Sequence, residues 1–104
     1  MKIKETNIQK QILDYLHLKG YVAFKHRNVG IYKRKTDHYI PLSFGERGIS
    51  DIIGCTKKGI FFAIEVKRPK GKLTLEQREF LDRVNQKGGI GILADCLEQV
   101  IDFL

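Results

Sequence analysis

The run Ile60-Phe61-Phe62-Ala63-Ile64-Glu65-Val66 constrains the fold more than any other stretch of the chain. Side chains alternate along a strand, so Ile60, Phe62, Ile64 and Val66 share one face and Phe61, Ala63 and Glu65 the other. Both faces are mostly apolar, and such a strand is stable in the middle of a sheet that is covered on both sides. A second run, Asp51 to Thr56, precedes it across Lys57-Lys58-Gly59, a spacing that predicts a tight β-hairpin. Closing the hairpin through those three residues sets Asp51 opposite Glu65, within one residue of register. Directly opposed residues have Cβ atoms roughly 4.5–5.5 Å apart, where two carboxylates repel unless a cation lies between them.

The rest of the chain supplies the covering layers. Between Ile3 and Lys19, residues Ile8, Ile12, Tyr15 and Leu16 recur at helical spacing, and Gly20 is placed to end the helix in a left-handed conformation. Tyr21 to Arg27 reads as a short strand. Asn28 to Gly48, with Gly30, Pro41 and Gly45, reads as a long loop or irregular hairpin, a kind of segment that in compact domains serves partner contact. Thr74-Leu75-Glu76-Gln77 is a capping box opening a helix with Phe80, Leu81 and Val84 on one face, stopped by Gly88-Gly89. Ile90 to Ala94 is a short buried strand. Leu97 to Leu104 is a terminal helix presenting Val100, Ile101 and Leu104 to the sheet. The order αβ-loop-ββαβα predicts an α/β sandwich, a central sheet flanked by helices, and 104 residues fit one domain spanning 1–104.

Charge narrows the partner. Nineteen Lys and Arg against twelve Asp and Glu leave a formal +7, which favours a polyanion such as nucleic acid. The basic side chains cluster as Lys25-His26-Arg27 with Lys33-Arg34-Lys35, and as Lys67-Arg68-Pro69-Lys70-Gly71-Lys72. Such clusters contact phosphates rather than bases, although a charge run is also an ordinary solvated face. Tyr32, Tyr39 and Phe44 in the long loop suit stacking on unpaired bases or packing on a partner subunit. Cys55 and Cys96 form no CxxC pair and are expected as buried small hydrophobes. His17, His26 and His38 lack the spacing of a ligand set. No stretch approaches the roughly 18 apolar residues that span a bilayer, so the expected setting is cytosolic.

The chemistry centres on Glu65. Lys67 follows two residues later and shares its face, bringing an ammonium to the proposed carboxylate pair. Mg²⁺ or Mn²⁺ suits that pair, since Mg²⁺ is bound through one or two carboxylates with water and substrate phosphate completing its shell. Near such a site a Lys can hold the attacking water or stabilise charge developing on a phosphate, as phosphodiester hydrolysis requires. The plainer alternative has Asp51 and Glu65 at the sheet rim, each paired to a neighbouring cation. A Glu-x-Lys on an otherwise apolar strand, opposite an acid, in a basic chain, favours the metal.

Gly48-Ile49-Ser50-Asp51, Glu65-Val66-Lys67 and Gln77 resemble the PD-(D/E)xK nuclease signature, and the whole chain resembles its VRR-NUC branch, the virus-type replication-repair nucleases. The likeness extends to Glu5, Ile8 and Gln9, to Arg27-Asn28-x-Gly30, to Lys67-Arg68-Pro69 with Gly71, and to Gly88-Gly89-Ile90. Ser50 stands where the family usually has proline, which changes local rigidity rather than chemistry. The resemblance implies a restriction-endonuclease-like sandwich with a mixed sheet, metal binding by Asp51, Glu65 and the Val66 carbonyl, and assistance by Lys67. It also implies support from Gln77 and a role for Glu5. Glu5 shares the helical stripe of Ile8 and Ile12, unless Thr6 caps that helix with Gln9 at its third position and leaves Glu5 outside. The family's viral, stand-alone members imply cleavage of branched DNA such as four-way junctions by a homodimer. The rival readings are a non-catalytic nucleic-acid binder and a restriction-like enzyme cutting duplex DNA at a defined sequence.

Overall fold

In the computed structural model, residues 4–26 and 48–104 are described in full, together with the backbone of 31–33 and 38–40. Helix α1, Glu5–Leu18, buries Ile8, Gln9, Ile12 and Leu16 along one stripe and ends at Gly20. Its N-cap is Lys4, which makes no side-chain capping bond, so Glu5 opens the helix and Thr6 lies inside it. The turn through Lys19-Gly20-Tyr21 leads straight into β1, Val22–Lys25. This short connection makes α1 antiparallel to β1 and brings its first turns to the end of the sheet where β1 finishes.

The long segment after β1 contains β2, Ile31–Lys33, and β3, His38–Ile40, paired antiparallel with Tyr32 opposite Tyr39. An irregular hairpin is therefore the better of the two sequence readings. Strands β4, Ile52–Cys55, and β5, Phe61–Val66, follow, then α2, Leu75–Gln86, β6, Ile90–Ala94, and α3, Leu97–Ile101. The main sheet runs β1-β4-β5-β6, antiparallel up to β5 and parallel between β5 and β6. A parallel neighbour needs a crossover, and α2 supplies it. The apolar β5 is thus an interior strand of a mixed sheet, as its two apolar faces require.

The β4–β5 turn fixes the register. Gly59 N–H donates to Thr56 O at 2.9 Å, and Thr56 N–H to Ile60 O at 2.9 Å. Gly59, at φ +81°, supplies the left-handed residue that follows the tight turn in a three-residue hairpin loop. On one face of the sheet Phe62, Ile64, Val66, Ile52 and Ile92 pack beneath α1 and α3 with Ile12, Leu16 and Val100. On the other, Ala63 packs against Phe80, Leu81 and Val84 of α2.

Three expectations need correction. Helix α3 stops at Ile101, and Ile101 is exposed rather than packed on the sheet, while Val100 and Leu104 are buried. The end of the chain is instead fastened by tertiary bonds, with Tyr21 Oη donating to Leu104 O at 2.9 Å and Lys19 Nζ to the same oxygen. Cys55 and Cys96 are free but only half-buried. Both lie at strand or helix ends, where packing is incomplete.

Candidate active site

The hairpin register, continued one step past the last rung at Ile52 and Ile64, sets Asp51 opposite Glu65. There the ladder gives way to side-chain chemistry. Val66 N–H donates to Asp51 Oδ2 at 2.9 Å, so Asp51 caps the end of the sheet through its carboxylate. Its own carbonyl accepts from His26 N–H at 2.7 Å, continuing the pairing with β1. Lys67 N–H donates to Ala94 O on the opposite side. Because C=O and the following N–H of a trans peptide point opposite ways, the Val66 carbonyl is directed toward the Asp51 side.

Glu65 is 2% exposed, which is rare for a carboxylate. Its Oε1 accepts from Gln77 Nε2 at 3.1 Å and lies 3.7 Å from Lys67 Nζ. Its Oε2 is buried without a hydrogen-bond partner among the described residues. Burial first, and then the charge of Asp51, push the Glu65 carboxyl up to about 8, while Lys67 pulls it down. A buried carboxylate oxygen with no donor among the described residues, beside a second carboxylate, is a donor set suited to a cation. Among the described residues no third His, Cys, Asp or Glu completes a metal-ligating group. A cation held here would draw its other ligands from a backbone carbonyl, water and phosphate, as Mg²⁺ commonly does.

Gln77 serves two purposes at once. Its N–H donates to Thr74 Oγ1 at 3.1 Å and its Oε1 accepts from Thr74 N–H at 2.9 Å, completing the capping box of α2. That use of Oε1 leaves the amide nitrogen to donate to Glu65. Gly48 locks the other side of the arrangement. It sits at φ +72°, and a Cβ there would lie 2.3 Å from Glu76 O and 2.7 Å from Gln77 N. Only glycine lets the segment leading to Asp51 lie directly on the first turn of α2.

The other expected residues are spread more widely. Glu5 is half-buried at the start of α1, one turn before Gln9, and does not join Asp51 and Glu65 in a ligand group among the described residues. Lys25 is exposed at the same end of the sheet as Asp51, but strand alternation puts it on the α1 face with Ala23. Arg68, Lys70 and Lys72 are exposed in the connection between β5 and α2. Arg27, Arg34, Lys35 and Phe44, with the side chains of Tyr32, Lys33, His38 and Tyr39, lie outside the described residues. His17 has a structural use, its Nε2 lying 2.8 Å from Ala23 O. Sequence reasoning passed over two further buried atoms without partners among the described residues, Gln9 Oε1 and Ser50 Oγ. A polar residue on the apolar stripe of α1 was the available signal for the first.

The VRR-NUC domain family matches residues 3–95 of the chain. Among solved structures, a VRR_NUC domain protein superposes with a TM-score of 0.66 at 16% sequence identity, covering 98% of this chain and 85% of that one. At that identity the likeness is one of fold. No curated protein sequence matches.

Proposed function

This chain belongs to the VRR-NUC family of PD-(D/E)xK-type nuclease domains, and from that premise we propose that it is a divalent-metal-dependent DNA endonuclease. The observation that carries the reading is Glu65 Oε2, buried and without a donor among the described residues, on a carboxyl set opposite Asp51 and beside Lys67. Mg²⁺ or Mn²⁺ would be held by Asp51, Glu65 and the Val66 carbonyl, supplying a more acidic water and a counter-charge for the phosphate. Lys67 stabilises negative charge on the phosphate or holds the attacking water. Gln77 keeps Glu65 in place by donating to Oε1 while anchored by Thr74. Glu5 acts from the start of α1, outside the carboxylate pair.

The substrate we propose is branched DNA, cut by a homodimer whose two sites face two strands. Lys and Arg contacts to phosphates position a duplex without reading its bases, so shape selects the substrate more readily than sequence. Lys25, Arg27, Lys33, Arg34, Lys35, Arg68, Lys70 and Lys72 are the proposed phosphate contacts. The test is to incubate the protein with an end-labelled four-way junction and a matched linear duplex in Mg²⁺, Mn²⁺ or EDTA. Asp51→Ala and Lys67→Ala are run alongside. Metal-dependent cutting of the junction, reduced at least about 100-fold in both variants, supports the reading. Binding without cutting by folded protein would leave a non-catalytic binder.

A further inference from the structure

Beside the carboxylate pair, the two parallel strands β5 and β6 end together, with Val66 opposite Ala94 and Lys67 N–H bonded to Ala94 O at 3.0 Å. A cavity of about 120 Å³ opens there, lined by Lys67, Arg68, Lys70, Leu93, Asp95 and Gln99. Crevices outside the carboxyl ends of parallel strands are where open α/β sheets bind ligands. Among the described residues, three cations and one carboxylate line it. Lys67 is the wall common to both places, its Nζ lying 3.7 Å from Glu65.

The turn that carries the other two cations is held in an unfavourable conformation. Gly71 N–H donates to Arg68 O at 2.8 Å, closing a four-residue turn with Pro69 second and Lys70 third. Lys70 has φ +69°, the only positive φ of a non-glycine among the described residues. With proline second and a positive φ third, this is the turn type that favours glycine or asparagine at the third position. The adjacent Gly71 is packed closely, since a Cβ there would lie 2.9 Å from Arg68 O and 3.1 Å from Lys67 Cβ. The turn is thereby fixed against Lys67. Backbone strain that persists at the mouth of a cavity points to a use for the side chain it presents. The far wall is fixed as well, because Asp95 N–H donates to Gln99 Oε1 at 2.7 Å, leaving the Gln99 amide nitrogen as a further donor. Leu93, 44% exposed, adds an apolar surface against which a sugar can lie.

We propose that this cavity seats the phosphate of a nucleotide adjoining the scissile one, with Lys70 as its principal contact, an assignment that rests on the nuclease reading above. The seat would fix the strand at a second point beside the carboxylate pair, so its loss falls on KM rather than kcat.

The experiment compares Lys70→Gly, Lys70→Ala and Lys70→Arg in melting temperature and in cleavage kinetics across a salt series. Lys70→Gly relieves the strain and removes the cation, so it should melt above the parent while KM rises about tenfold, the scale of one charged hydrogen bond. Its plot of log(kcat/KM) against log salt should flatten by about 0.9, one phosphate contact. Lys70→Ala should show the same KM and slope without the gain in melting temperature, and Lys70→Arg should restore both kinetic values. A substrate with one neutral methylphosphonate next to the cut should bring the parent to the Lys70→Gly level and cost that variant nothing more. A higher melting temperature with unchanged KM and slope would overturn the proposal, leaving a strained turn without a part in binding. If the parent cleaves no substrate in either metal, the nuclease reading falls first. DNA affinity in EDTA across the same salt series then decides the seat, and an unchanged slope in Lys70→Gly overturns it.

Discussion

The two faces of β5 are built to different ends. Toward α1 and α3, Phe62, Ile64 and Val66 are sealed in a continuous apolar core. Toward α2 the same strand buries Ala63 and then Glu65, whose carboxyl meets Asp51, Gln77 and Lys67. One face makes the sheet stable, and the other uses that stability to keep a carboxylate where water would otherwise surround it. A buried carboxyl group without a full set of partners costs free energy whether it ionises or keeps its proton, so the second face is tolerable because the first is so well packed.

Mutating the two faces separately distinguishes their roles. On the apolar face, Phe62→Ala should lose about 3–5 kcal/mol of stability by opening a cavity under a fully buried ring. Chemical denaturation measures that loss, and the fraction still folded should cleave DNA at the parental rate. On the polar face, Glu65→Gln should abolish cleavage while raising the melting temperature in EDTA. A gain in cleavage, or a loss of stability as large as that of Phe62→Ala, would erase the distinction between the faces.

The pH dependence of stability sharpens the same point. The Glu65 carboxyl titrates at about 8 in the fold against an ordinary 4.5. Between those values the folded chain holds a proton that the unfolded chain has released. Metal-free stability from this group is therefore greatest below the lower value and is lost as pH rises through the upper one. Melting curves in EDTA should fall across this window for the parent, and the fall should be smaller in Glu65→Gln.

Gln77 links the chemistry to the architecture, and its two bonds can be separated. Gln77→Glu keeps a side chain able to complete the capping box but replaces the donor to Glu65 by a carboxylate. Activity should drop about 10–100-fold, the usual cost of losing a partner that orients a metal ligand, with α2 still capped. Gln77→Ala should lose both. The smallest effect is expected at Ser50, whose buried hydroxyl has no partner among the described residues. Ser50→Ala should leave melting temperature and activity unchanged or raise the former slightly, because the hydroxyl is desolvated without return.

Much of this was legible in the chain because the governing signals are local. Alternation along 60–66 placed β5 inside the sheet, Lys57-Lys58-Gly59 set the register that opposes Asp51 and Glu65, and Thr74 with Gln77 announced the start of α2. What escaped reading depends on contacts between distant segments. The resemblance implied support from Gln77 but not its bond to Glu65, and that bond, the close fit of Gly48 on α2 and the tethering of Leu104 by Lys19 and Tyr21 arise only once layers have packed. Lys70 is a different case, since the sequence Pro69-Lys70-Gly71 would ordinarily put glycine, not lysine, at the left-handed position.

The most direct test is Mn²⁺ binding by calorimetry at pH 7, in buffers of different ionisation heat, for the parent, Asp51→Asn and Glu65→Gln. The account predicts saturable binding by the parent with release of nearly one proton per ion, as Glu65 ionises, and loss of that binding in both variants. Binding unchanged in the variants, or no saturable binding by the folded parent, would contradict the claim that Asp51 and Glu65 are held together for a cation.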